Sequence, residues 1–185
     1  MEENTEKITY QGKIIEVVEK TRKIKGEDKV FEFARRSPGT RLIVPEGDGI
    51  ILSKEFRYEL GDYDYRLPGG KVFDTLTEYN AFLAQEGDMT SAAKIAAIKE
   101  AKEEMGIVVK DISYLHTSVC GATVVWDLFY FLVNDFEKSK QDLEEGEIIT
   151  TEVISKEKVR EMCLNGKISE ERSALALLKY LNQNR

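Results

Sequence analysis

The periodicity of the apolar residues first changes at Leu67-Pro68-Gly69-Gly70, and that change limits the folds open to the chain. Before it, apolar residues alternate or form short blocks between turn residues, as strands do; after it, helical spacing appears. Residues 8–36 read as two or three antiparallel strands with charged turns such as Lys25-Gly26-Glu27-Asp28, and Ser37-Pro38-Gly39 then punctuates the chain. Residues 41–45 and 49–58 read as a hairpin around Glu46-Gly47-Asp48-Gly49, with a further strand over 63–67. Beyond the glycines, Thr75-Leu76-Thr77-Glu78 has the form of a capping box and predicts a helix to about Gln85. A longer helix is expected from Thr90 or Ser91 to Gly106, the residue type that most readily takes the left-handed conformation at a helix end. Strands over 108–116, 122–133 and 148–154 and helices over 156–164 and 169–182 complete the pattern, with a charged loop over 135–146. This order predicts an α/β fold, a mixed sheet covered by helices on both faces, with a small N-terminal antiparallel β extension (1–38) before the main domain (39–185).

At 185 residues the chain has the length of one ordinary domain and can bury a sizeable core. Its formal charge of -7 argues against a nucleic-acid polymer held by a broad basic surface. A small anionic ligand stays open, because it needs only local positive charge or a bound cation. No apolar run reaches signal-peptide or membrane-span length, so no membrane association and a cytoplasmic location are expected. Cys120 and Cys163 lie far apart without metal-ligand spacing and read as reduced core residues. The single histidine, His116, excludes a multi-histidine centre, so a metal would be held by oxygen ligands, as magnesium, manganese or calcium are.

Oxygen ligands are concentrated on the long helix. At helical spacing Glu100 and Glu104 lie one above the other and Glu103 flanks them. Ile95, Ile98 and Met105 fall on the opposite face and are expected to anchor the helix to the sheet, while Ala93, Ala96 and Ala97 continue the acidic face. The triplet is unfavourable by itself: like charges at these spacings repel, and the last helical turn carries the negative end of the macrodipole. A divalent cation reverses that sign, since each carboxylate becomes a ligand. Taken alone, AIKEAKEE also reads as a solvated Glu/Lys helix in which Lys99 and Lys102 relieve part of the repulsion.

Taken together, Leu67-Pro68-Gly69-Gly70-Lys71 and Lys99-Glu100-Ala101-Lys102-Glu103-Glu104-Met105-Gly106-Ile107 resemble the signature of the Nudix hydrolases: G, five residues, E, seven residues, R-E-U-x-E-E-x-G-U, with U aliphatic. The downstream half matches at Glu100, Glu103, Glu104, Gly106 and Ile107. The chain departs from the pattern at Lys99 for arginine, at Ser91 for the first glutamate, and in the long segment 71–90 where the family has a short spacer. The resemblance implies an α/β/α sandwich and Mg²⁺- or Mn²⁺-dependent hydrolysis of a diphosphate linkage. Glu100 and Glu104 would be the main metal ligands, Glu103 a ligand or base, and the Gly69 carbonyl would complete the shell. A general base is alternatively expected from the charged loop, where Glu144, Glu145 and Glu147 cluster.

The segment Leu52-Ser53-Lys54-Glu55-Phe56-Arg57-Tyr58 is similar to ADP-ribose and nucleotide-sugar pyrophosphatases. By that resemblance Arg57 and Lys71 are candidates for phosphate contacts, and the N-terminal strands would pair two subunits and help hold the base, with Phe31, Phe33, Arg35 and Arg36 contributing stacking and charge. Read plainly, Phe31 and Phe33 are core and Arg57 a surface ion pair. The alternatives are a hydrolase of nucleoside triphosphates or dinucleoside polyphosphates, and a non-catalytic nucleotide-binding regulator on the same scaffold.

Overall fold

The computed structural model describes residues 6–58, 60–143 and 145–183. Glu144 therefore lies outside the described residues. The chain opens with strands β1 (Glu6–Gln11), β2 (Glu16–Ile24) and β3 (Glu27–Arg35), an antiparallel meander whose second turn places Lys25 and Gly26 at positive φ. These match the expected extension. Strand β4 (Gly39–Ile43) follows, then β5 (Pro45–Glu46), β6 (Gly49–Arg57) and β7 (Asp62–Arg66). Only β5 forms the expected hairpin with β6, pairing Pro45 with Ile50 and Glu46 with Gly49. β4 belongs to a different sheet.

Helix α1 (Leu76–Ala84) carries the anticipated capping box, with the Glu78 N–H donating to Thr75 Oγ1 and the Thr75 N–H to Glu78. Helix α2 (Met89–Met105) starts slightly before the expected residue because Asp88 is the cap, accepting from the Thr90 N–H at 3.0 Å and the Ser91 hydroxyl at 2.6 Å. Strands β8 (Ile107–Ser118), β9 (Val124–Val125), β10 (Leu128–Lys138) and β11 (Ile149–Ser155) come next, and helices α3 (Lys156–Leu164) and α4 (Glu171–Gln183) close the fold. The run read as one strand over 122–133 is split, and β10 extends to Lys138. Cys120 sits in the connection ahead of β9 and is exposed rather than core, while Cys163 is half-buried on α3.

Strand β10 pairs parallel to β4 and antiparallel to β8, which makes the central sheet mixed. β6 pairs antiparallel with β11 and β7. Successive residues of the inner strands enter two cores. Ile43, Ile50, Leu52, Leu128 and Tyr130 pack with Val159, Met162, Leu177 and Leu181 of α3 and α4. Leu42, Ile51, Phe129 and Phe131 pack with Ala93, Ala97, Ala101 and Met105 of α2. With side chains alternating across each strand, both sheet faces are covered and the architecture is an α/β/α sandwich. The β3–β9 pairing, Ala34 to Val124 and Arg35 to Val125, joins the N-terminal meander to the rest. Among the described residues no helix is long and apolar enough to cross a membrane.

The face of α2 differs from expectation. Its buried side is the alanine stripe, whereas Ile95 and Ile98 are 72% and 39% exposed. Alanine lets the helix backbone approach the sheet closely, and only Met105 of the expected anchors is in the core. Gly106 ends the helix at φ 61°, and residues 139–142 close over it: the Ser139 N–H donates to Gly106 O and the Asp142 N–H to Glu103 O at 3.0 Å. These donors satisfy carbonyls that the last turn would leave unpaired. A Cβ at Gly106 would stand 2.7 Å from Gln141 N and 2.8 Å from Ser139 O. Gly106→Ala should therefore lose about 1–3 kcal/mol of stability, combining left-handed strain with this crowding. A urea midpoint equal to that of the parent would contradict that reading of the helix end.

Candidate active site

The turn after β7 is held against β4. The Leu42 N–H donates to Pro68 O and the Thr40 N–H to Gly70 O, both at 2.9 Å. Between them the Gly69 N–H points at α2 and donates to Glu104 Oε2 at 2.8 Å. Gly69 is sterically required: it has φ 139° and a Cβ there would overlap Thr40 O. A Cβ at Gly70 would meet the Glu100 carboxylate, which would have to shift. The glycine turn and two of the three glutamates thus form one unit.

This unit lies in a cleft of ≈ 670 Å³ whose walls also include Arg36, Arg41, Arg57 and Trp126. Of the residues singled out from the sequence, Glu100, Glu103, Glu104, Gly69, Lys71, Arg36, Arg57 and Glu147 line it. Glu103 is ion-paired with Lys99 at 3.4 Å, so the lysine in the family's arginine position keeps a contact with the acidic face. Arg57 pairs with Glu55 at 2.6 Å, which leaves the ion-pair reading and the phosphate reading both standing for this residue. Ser91 lies in the first turn of α2, donating its hydroxyl to the capping Asp88, roughly 14 Å along the helix from Glu100, so this departure from the signature falls away from the cleft.

Three candidates are placed elsewhere. Arg35 is only 7% exposed, donates to buried Glu16 at 2.6 Å and to Asn80 of α1 at 3.1 Å, and also pairs with Glu6. It ties the meander to the segment 71–88 and is not among the cleft-lining residues. Phe33 lies on β3 with Lys20 5.5 Å from its ring centroid, and Glu145 is exposed on the loop; neither lines the cleft. Phe31, read plainly as core, is 39% exposed.

Sequence reasoning passed over a buried pair beneath the turn. Arg41 donates to both Glu170 oxygens at 2.9 Å and to Thr40 O at 2.8 Å, and Glu170 also accepts from Ser173, whose hydroxyl meets the Tyr130 hydroxyl at 3.2 Å. A lone arginine inside Thr40-Arg41-Leu42-Ile43-Val44 was the only signal; nothing marked Glu170 as its partner 129 positions away. Trp126, whose ring centroid lies 4.4 Å from the guanidiniums of both Arg36 and Arg172, was also passed over.

The two buried carboxylates titrate in opposite directions. Burial alone would raise Glu170, but the hydrogen bonds and charge of Arg41 and the Ser173 hydroxyl bring it down to about 2. Glu104 is pushed up to about 8, first by burial and then by Glu100, against smaller opposing effects of the Gly69 N–H and Arg41. Among the described residues no three His, Cys, Asp or Glu side chains form a ready metal cage. A pair of carboxylates beside a glycine backbone still fits a hard cation such as magnesium, which takes one or two carboxylates and draws other ligands from water and substrate phosphate. A site crowded enough to hold Glu104 protonated near neutrality is one that a cation would relieve.

No protein-family profile matches this sequence, and no curated protein matches it. Among solved structures the chain is similar to one described as an ADP compounds hydrolase, with a TM-score of 0.71, 16% identity, and coverage of 97% of this chain and 90% of that chain.

Both carboxylates set a pH dependence in the cation-free protein. Glu170 binds fewer protons folded than unfolded, so its contribution is complete above its ordinary 4.5 and is lost as pH falls toward about 2. Glu104 binds more protons folded, so stability declines as pH rises from 4.5 to about 8. In EDTA, Glu104→Gln should flatten the alkaline decline and raise the melting temperature at pH 8; a lowered melting temperature there would refute a strained carboxylate. The likeness to the ADP compounds hydrolase is one of fold, and it places this chain among α/β sandwiches with a mixed sheet, four helices and an N-terminal antiparallel extension.

Proposed function

We propose that this chain is a Nudix hydrolase that uses Mg²⁺ or Mn²⁺ to cleave the diphosphate linkage of a nucleoside diphosphate derivative, ADP-ribose or a nucleotide sugar, releasing a nucleoside monophosphate and a phosphorylated product. The observation that carries the reading is the contact of Glu100 and Glu104 with the Gly69-Gly70 backbone inside a cleft that also bears arginines. The name of the similar structure, a hydrolase of ADP compounds, supports the substrate class.

When bound, the cation would neutralise phosphate charge and lower the pKa of a water. Glu104 and Glu100 are the residues to hold it, with the Gly69 carbonyl beside them. Glu103 is a further ligand or a base, kept in place by Lys99. Of the loop glutamates, Glu147 lines the cleft and is better placed than Glu145 to accept a proton from the attacking water. Arg57 and Lys71 orient phosphoryl oxygens, Arg57 by exchanging part of its contact with Glu55. The same reading takes the enzyme as a cytoplasmic homodimer assembled through its N-terminal strands, acting on a small nucleotide rather than on a nucleic-acid polymer or at a membrane.

Turnover of ADP-ribose, nucleotide sugars, triphosphates and dinucleoside polyphosphates with Mg²⁺, followed by mass spectrometry, tests the assignment. Glu104→Gln should lower kcat on the order of 10²-fold or more, and EDTA should abolish turnover. Undiminished Mg²⁺-dependent hydrolysis by both Glu103→Gln and Glu104→Gln would overturn the site.

A further inference from the structure

Arg41 lies on β4 with 6% of its surface exposed, and a charge so poorly solvated requires a carboxylate. Glu170 meets its Nε and Nη2 with one oxygen each, both at 2.9 Å. Glu104 is a second claimant, separated from Arg41 by a single residue. Arg41 Nη1 stands 3.5 Å from Gly69 O, and the N–H of the same glycine donates to Glu104 at 2.8 Å. Burial disfavours the charge of Arg41; the hydrogen bonds and charge of Glu170 more than restore it, and Glu104 adds to them. An arginine paired with Glu104 instead would neutralise that carboxylate and stand where a cation has to bind.

The stiffness of Glu170 decides between the two pairings. Its carbonyl accepts from the N–H groups of Ser173 and Ala174 at 2.9 and 3.0 Å, which fixes the residue at the first turn of α4. The preceding Ser169 hydroxyl contacts both oxygens of Asp64, at 2.9 and 3.0 Å, and ties the same loop to β7. The Ser173 hydroxyl donates to the Glu170 carboxylate and is joined at 3.2 Å to the Tyr130 hydroxyl of β10. Bonds from α4, β7 and β10 thus set where Glu170 stands, and the longer arginine side chain goes to it. Arg41 keeps a task of its own there, since Nη1 donates to Thr40 O at 2.8 Å beside the glycine turn.

We propose that Glu170 is a positioning residue for the cation site: by holding Arg41 along the cleft floor it keeps that guanidinium off Glu104 and leaves Glu100 and Glu104 to a divalent cation. Glu170 touches neither cation nor substrate in this role and acts through Arg41. The inference rests on the reading of Glu100 and Glu104 as cation ligands.

Binding of Mn²⁺ alone to the full-length protein, followed by electron paramagnetic resonance of the free ion, tests it. The parent is expected to bind saturably. Glu170→Gln releases Arg41 toward Glu104 and should weaken Mn²⁺ affinity about tenfold or more. Adding Arg41→Gln to that variant removes the competing charge, and affinity should return to within about threefold of the parent. Loss of a mere scaffold would not be reversed by deleting a second buried side chain. Should Glu170→Gln fail to fold, Glu170→Asp serves: it keeps the charge with a shorter reach, and affinity should fall about threefold or more. The doubly neutral variant remains its comparison. Affinity undiminished in the Glu170 variants, or as low in the double variant as in the single one, would overturn the positioning role while leaving the cation reading intact. A parent that binds no Mn²⁺ would overturn both.

Discussion

The two hydrogen bonds that fasten Pro68 and Gly70 to β4 are the constraint on which the site depends. They hold the glycine turn as an added strand edge and leave the Gly69 N–H turned away from β4, toward Glu104. The same turn presents a Cα surface at Gly70 against which Glu100 packs. Helix α2 therefore approaches closely, and its alanine stripe is the surface that permits it. The glycine pair, the small residues and the glutamates are one packing solution seen from three elements.

That solution concentrates charge in a poorly solvated place, and the fold treats two glutamates differently. Glu170 receives a bidentate guanidinium and a hydroxyl, so its ionised form is secured. Glu104 receives a single backbone N–H and faces Glu100, so its ionised form is strained. Arg41 acts on both, bonded to Glu170 and reaching the Gly69 carbonyl at 3.5 Å while its charge favours ionised Glu104. The secured pair stabilises the floor, while the strained carboxylate is kept ready for a ligand that brings positive charge.

Much of the architecture was legible because its local signals agree. The capping box at Thr75 and Glu78, the left-handed end at Gly106 and helix α3 follow from short-range chemistry, and the structure shows each of them. The buried face of α2 was not legible by the same means. Hydrophobicity favoured Ile95 and Ile98, but the small size of Ala93, Ala97 and Ala101 matters more where a helix must lie near a sheet carrying Phe129 and Phe131. Cys120 was misread in a similar way, since an apolar run does not reveal that the chain leaves the sheet between β8 and β9.

For the site, it was the resemblance of two local phrases to a known signature that singled out Glu100, Glu103, Glu104 and Gly69; the glutamates taken alone also read as a solvated helix face. Arg35 and Arg36 show the limit of that reading. Adjacent in sequence where β3 ends, they point to opposite sides of the extended chain, so Arg35 pairs with Glu16 and hydrogen-bonds Asn80 while Arg36 reaches the cleft and Trp126. Arg41 with Glu170, and Trp126 with its two arginines, join residues from distant parts of the chain. Sequence alone determined which groups are available and how each helix and turn begins and ends. Only the tertiary structure decided which charges are paired, which are buried and which face the cleft, because those outcomes depend on distances between segments that no local pattern encodes.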